Sequence, residues 1–262
     1  EDASVTVNLS LTEIGQGSYT ALAQIVAERL RMPLEKVNIA VESDTDRDPY
    51  DWQTVASKGL ILSGNAAVIA ADDMLKRAYE TAAQVLRAST VDLNHDGEKV
   101  FVKHDPEKAV TFRQMAIGYA YPNGESIGGP LVGVGRYIAQ GLTNLDKETG
   151  QGLPALDWTY GAHGMVVEVH PETGEYNVLK VISAFDVGKV VNPDAVRGQV
   201  IGGMLQGLGT ATCEGYIYDE QGHLLNPSFT DNKIPTAQDI PLEVDAIAVE
   251  TPQLDGPYGA RG

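Results

Sequence analysis

With 262 residues, 43% of them apolar, the chain can bury a packed core, which excludes a disordered segment and allows one large domain or two smaller ones. Acidic residues outnumber basic ones by 36 to 19, and the resulting net charge of −17 argues against nucleic acid and anionic membranes as partners. The single cysteine, Cys213, excludes an intrachain disulfide framework, a Cys-rich zinc site and a self-contained iron–sulfur cluster, and makes a reducing cytoplasm the default location.

No apolar run approaches the roughly 18–20 residues of a membrane helix, and the first residues do not read as a signal peptide. Residues 3–10 alternate through Val5, Val7 and Leu9 and predict a strand. A polar turn over Thr12–Thr20 leads into a helix from Tyr19 to Arg31, which Pro33 stops. Val37–Val41 is a short strand. An acidic loop, Ser43–Ser57, precedes a long helix from about Leu62 to Ala88, whose alanine face permits close packing. Val100–Val102 reads as a strand, Thr111–Gly118 as a short helix, and Tyr121–Pro154 as a glycine-rich excursion with little structure. Met165–Val169 and Tyr176–Phe185 form a hairpin. Asn192 caps and Pro193 opens a helix running to about Thr212. A second hairpin over Gly215–Tyr218, turning at Gln221-Gly222, and a strand at Leu242–Val249 complete the chain. The predicted class is α+β, with mixed or antiparallel sheets packed with helices in two lobes, 1–120 and 121–262.

Several motifs reduce to plain structure. Gly124-Glu125-Ser126-Ile127-Gly128 has the letters of a hydrolase nucleophile elbow, but the flanking Pro122, Asn123 and Pro130 deny it the strand and helix it needs. Asp92-Leu93-Asn94-His95-Asp96-Gly97 opens like a calcium loop, yet Lys103 holds the position of the bidentate carboxylate. It reads as a turn between the long helix and a strand. Asp44, Asp46, Asp48 and Asp51 read as a solvated loop, and the histidines lack zinc spacing. Cys213 reads as a small buried hydrophobe, and Gly133-Val134-Gly135 lacks the context of a dinucleotide fingerprint.

Three stretches point to a ligand. Gly15-Gln16-Gly17 lies at a strand-to-helix turn, where N–H groups can face an anion. Thr54-Val55-Ala56-Ser57 and Ser63-Gly64-Asn65 bring hydroxyls to the start of the long helix, although Ser63 or Asn65 could simply cap it. Gln199 offers an amide on a glycine-rich helix. These are neutral donors with few cations, a set suited to a large polar cofactor whose phosphate is held by dipoles.

At these residues the chain resembles the molybdenum-cofactor-binding part of the xanthine dehydrogenase and aldehyde oxidase family. The segments that carry the resemblance are Thr12–Gly17 with Thr20, Tyr50–Ser57 with Ser63-Gly64-Asn65, Asp186–Pro193, Gly198-Gln199, Gln206–Gly209 and Asp255–Gly262. The resemblance implies a molybdenum hydroxylase that inserts water-derived oxygen into an aromatic heterocycle or aldehyde, with a glutamate as general base. It implies a molybdenum–molybdopterin cofactor, with the cytosine dinucleotide as one form. Iron–sulfur clusters and FAD are expected only in partner domains or subunits. Gly15, Gln16, Gly17, Thr20, Thr54, Ala56, Ser57, Ser63, Gly64, Gln199, Ala260 and Arg261 are implied as cofactor-binding, and none of them as catalytic or metal-ligating.

The glutamate of the pattern falls just beyond Gly262, and the pattern's upstream glycine-rich segment precedes Glu1. The chain is therefore expected to be part of a larger molybdenum-binding subunit, inactive alone. An upstream molybdenum-binding segment, an iron–sulfur subunit and an FAD subunit are its expected partners. Where the family often carries a further serine after Ser57, this chain has Gly59. The alternative is an autonomous cofactor carrier or interaction module without catalysis of its own.

Overall fold

A computed structural model of the chain describes residues 2–46 and 48–262. Near the N-terminus, β1 (Val5–Val7) leads to α1 (Ser18–Leu30), which ends where Arg31 turns left-handed two residues before Pro33. β2 (Val37–Ile39) then returns parallel to β1, pairing Val5 with Val37. α2 (Gly59–Leu86) begins earlier than its pattern predicts, with Lys58 at its N-cap. Ser63 and Asn65 consequently lie inside the helix, and neither caps it.

β3 (Leu93–His95), β4 (Lys99–Val102) and β5 (Asp105–Thr111) form an antiparallel meander on α2. The calcium-like segment is therefore a strand followed by the β3–β4 hairpin turn. Asp96 accepts the N–H groups of Glu98 and Lys99 there, both at 3.0 Å. Gly97, at φ +94°, rides against the Arg31 carbonyl, which an added Cβ would meet at 1.8 Å.

The short helix α3 (Phe112–Met115) is closed by a capping box between Thr111 and Gln114. It stops early because β6 (Ile117–Ala120) pairs with β7 (Ser126–Pro130), giving the glycine-rich stretch a hairpin absent from its pattern. Ser126 thus opens a strand, not the strand-to-helix elbow of a hydrolase. Beyond β7, Gly133 and Gly135 lie flat on α2. A Cβ on either would reach the carbonyl oxygen of Ala70 at 2.0 Å or Ala66 at 1.8 Å, respectively. The alanine face of α2 therefore receives an extended backbone as well as α1.

β8 (Gly161–Val169) and β9 (Tyr176–Asp186) form the expected hairpin. α4 (Pro193–Thr212) starts as predicted, with Asn192 Oδ1 accepting the Ala195 N–H at 3.0 Å and proline at N1. β10 (Glu243–Val249) joins β9 in parallel after the α4 crossover, giving a mixed sheet in the order β10-β9-β8. The 215–225 hairpin is reduced to a bridge between Tyr218 and Leu224, held by buried Asn226 through the Ile217 N–H and the Gly215 carbonyl. Cys213 is exposed at the C-cap of α4, where its N–H donates to the Gly209 carbonyl, and is not the small buried hydrophobe its pattern predicts. The fold is α+β.

The chain divides into two compact units. One runs to Asp157 and takes in Pro252–Gly262; the other is Trp158–Thr251. The sequence had placed the division at 120/121 and left the C-terminal segment in the second lobe. The first unit holds the main core, where Leu22, Val26 and Leu30 of α1 meet Ala71, Ala78 and Ala82 of α2, with Val100, Val110 and Met115 beyond. The second is built around Val181, Met204 and Leu208.

Candidate functional site

In the first unit, three of the motif segments converge. Thr54 donates its hydroxyl to the Thr12 carbonyl at 2.7 Å, and the Gln16 amide donates to the same oxygen at 3.3 Å. Gln16 Oε1 in turn accepts the Ile14 N–H at 2.7 Å. The turn after β1 and the loop before α2 are thus tied at one carbonyl.

Just past Thr54 the backbone takes two successive left-handed residues, Ala56 at φ 59° and Ser57 at φ 48°. Both are exposed, and among the described residues their N–H groups donate to nothing. They lead directly into α2, which has no side-chain cap and no acid in its first turn. Successive N–H groups at an uncapped helix start make a concavity of positive potential. The C-terminal segment borders it, since a Cβ on Gly262 would lie 1.4 Å from the Ser57 carbonyl oxygen.

That segment is anchored along α2. Asn65 donates to the Asp255 carbonyl at 2.7 Å, and Gly64 leaves room for Pro257, whose ring carbon a Cβ would meet at 2.6 Å. Ala260 is buried, and Arg261 faces Asp157 at 3.6 Å with both side chains largely covered. Gly64 and Ala260 are thus packed in this segment, and Arg261 is paired with Asp157. Ser63 is half-buried on α2, and Thr20 is exposed on α1. Gln199 belongs to the second unit, exposed on the second turn of α4.

The glycine turn differs from its expected role. The N–H groups of Gly15 and Gly17 do not face outward for an anion, because the Glu13 carboxylate accepts them at 3.0 and 2.9 Å and the Tyr19 N–H at 3.0 Å. Partial burial raises the Glu13 pKa, but the N–H groups of Tyr19, Gly17 and Gly15 outweigh it and hold the carboxyl below the ordinary glutamate range. No function was assigned to Glu13 from sequence. The only signal was an acid shortly before a Gly-x-Gly helix start. Trp52 and Tyr50 are exposed, with the Lys58 ammonium 5.0 Å from the Trp52 ring centroid.

The donor set suits a pterin cofactor: open backbone N–H groups, the Ser57 hydroxyl and a glutamine amide, without a cluster of cations among the described residues to over-neutralise one phosphate. Among the described residues no three His, Cys, Asp or Glu side chains stand together as a metal site. Among them, too, no helix is long and apolar enough to cross a membrane.

Residues 1–241 match the family model described as a molybdopterin cofactor-binding domain. The subunit gamma of the 6-hydroxypseudooxynicotine dehydrogenase complex of Paenarthrobacter nicotinovorans is 31% identical, across 98% of this chain and 31% of its own length. A probable hypoxanthine oxidase of Escherichia coli (strain K12) is 30% identical, across 99% of this chain and 25% of its own. Among solved structures, CO dehydrogenase from Oligotropha carboxidovorans superposes with a TM-score of 0.83 at 29% identity, over 100% of this chain and 30% of that one. The chain spans about a third or less of the length of these relatives. The chain belongs to the molybdopterin cofactor-binding domain family of the molybdenum hydroxylases.

Proposed function

We propose that this chain forms the cofactor-holding part of a molybdenum-dependent oxidoreductase that hydroxylates an aromatic heterocycle or aldehyde. The observation that carries the reading is the junction of Gln16 and Thr54 on one carbonyl beside the open left-handed pair Ala56–Ser57 at the start of α2. When bound, the molybdopterin cofactor supplies the two-electron redox chemistry. The chain's part is to bind and orient it. The N–H groups of Ala56 and Ser57 and the Ser57 hydroxyl donate to oxygen atoms of the cofactor, helped by the α2 dipole. The second N–H of the Gln16 amide, the one not given to the Thr12 carbonyl, donates to the pterin or an appended nucleotide, with the cytosine dinucleotide as one form. Gln199, exposed on α4 of the second unit, is a separate candidate for a cofactor contact.

In this reading Gly15, Gly17 and Thr20 shape the turn around Gln16, while Ser63, Gly64, Ala260 and Arg261 keep the α2 start and the C-terminal segment in place. The general base is a glutamate of the complete protein. Iron–sulfur and FAD subunits pass the electrons on, and the complete protein works in the cytoplasm.

The relatives are named for nicotine derivatives, hypoxanthine and carbon monoxide, and that diversity supports placing substrate selection outside the shared segment. The test is molybdenum and pterin content of the complete protein with Gln16→Ala or Gln199→Ala. Each lost buried hydrogen bond costs about 1–3 kcal/mol, so pterin content falls in both. Full occupancy in both variants would overturn the assignment.

A further inference from the structure

The turn that carries Gln16 would be loose without help. Gly15 lies at φ +102° and Gly17 at φ +83°, and a glycine backbone can visit many other conformations at little cost. One side chain selects this conformation. Glu13 Oε1 accepts the N–H groups of Gly15 and Gly17, and its Oε2 accepts that of Tyr19, so the carboxylate closes the turn on either side of Gln16. Tyr19 lies in the first turn of α1, where N–H groups are unpaired within the helix. An internal carboxylate therefore occupies the place that a bound anion would otherwise take.

We propose that Glu13 is a positioning residue that holds Gln16 in register with Thr54 by filling, with its own carboxylate, the anion position at the start of α1. The proposal rests on the reading that Gln16 contacts the cofactor. Glu13 does not itself touch the cofactor. It acts through the turn, and removing it frees Gly15 and Gly17 and opens the α1 start to solvent or to a competing anion.

The experiment uses the complete molybdenum-loaded protein with Glu13→Ala, Gln16→Ala and the double variant. It measures pterin released over time in mild urea and backbone amide exchange at residues 15, 17 and 19. Glu13→Ala is expected to speed exchange at those three amides and to release pterin on the order of tenfold faster, as loss of a charge-assisted hydrogen-bond set implies. The double variant should release pterin no faster than Gln16→Ala alone, because the two changes act through one contact. Additive losses would show a merely structural role and overturn the proposal, as would wild-type release in Glu13→Ala. Wild-type release in Gln16→Ala would instead sink the reading of Gln16 itself, and the positioning role with it. If Glu13→Ala does not fold, Glu13→Gln carries the same cycle, keeping the side-chain shape while removing the charge and one acceptor.

Discussion

His95 shows how one residue can sit in a motif for reasons unrelated to ligands. It points into the core from β3, is 6% exposed, and its Nδ1 meets the Tyr79 hydroxyl at 2.7 Å. Its Nε2 is buried with no partner among the described residues. Arg31 donates to its carbonyl oxygen at 2.9 Å, and Phe112 stands edge-on to its ring. Burial first, then the Arg31 charge, push its pKa below the ordinary 6.5, while Asp96 opposes them. The folded state therefore resists protonation that the unfolded chain accepts. Stability from this group is complete above the unfolded pKa and is lost as pH falls through 6.5 towards the folded value. We expect Tm to drop between pH 7.5 and 5, with a shallower slope in His95→Phe; an unchanged slope would remove the assignment. Tyr79→Phe, which strips the remaining ring partner, should cost about 1–3 kcal/mol in chemical denaturation at pH 7.5.

Among the elements, α2 organises the first unit because its small residues allow backbone to approach backbone. Gly133 and Gly135 lie on the turns of Ala66 and Ala70, and the Val134 N–H between them donates to Asp73 at 3.1 Å. The alanine periodicity of α2 was legible in the sequence. Its partner was not, since Gly-x-Gly without a strand or helix pattern carries no period to match. A Cβ on Gly135 would press on main-chain atoms, which cannot swing aside. Gly135→Ala should therefore destabilise by on the order of 3 kcal/mol. Gly164→Ala in β8, where a Cβ meets nothing within 4 Å, should stay within about 0.5 kcal/mol. Equal denaturation midpoints for the two variants would contradict this packing. The β5 strand and the β6–β7 hairpin were missed for a related reason: their alternation is weak, and only pairing with neighbours makes them strands.

For the molecule as a whole, the second unit has a thin core and a sheet with wide apolar exposure. Along the edge strand β8, Met165, Val166, Val167 and Val169 are 48%, 53%, 47% and 57% exposed. A long apolar edge is a template for further pairing. Residues 158–251 expressed alone should self-associate with rising concentration in light scattering, and Val167→Lys should reduce that association. A fragment that stays monomeric at high concentration would contradict the prediction.

Sequence by itself determined the α+β class, the α4 start, the β8–β9 hairpin and the set of neutral polar segments, because each depends on local period, caps and turn chemistry. The resemblance that ordered those segments was legible for the same reason: short motifs survive in the linear chain. Tertiary structure alone decided that Pro252–Gly262 returns to the first unit against Gly64 and Ser57. It also decided that Gln16 and Thr54 meet at Thr12, and that Glu13 rather than a ligand takes the N–H groups of the glycine turn. These are contacts between chain segments or bonds that several groups could have accepted. No local pattern names the partner, and only the packed chain shows which donor and which acceptor come within reach.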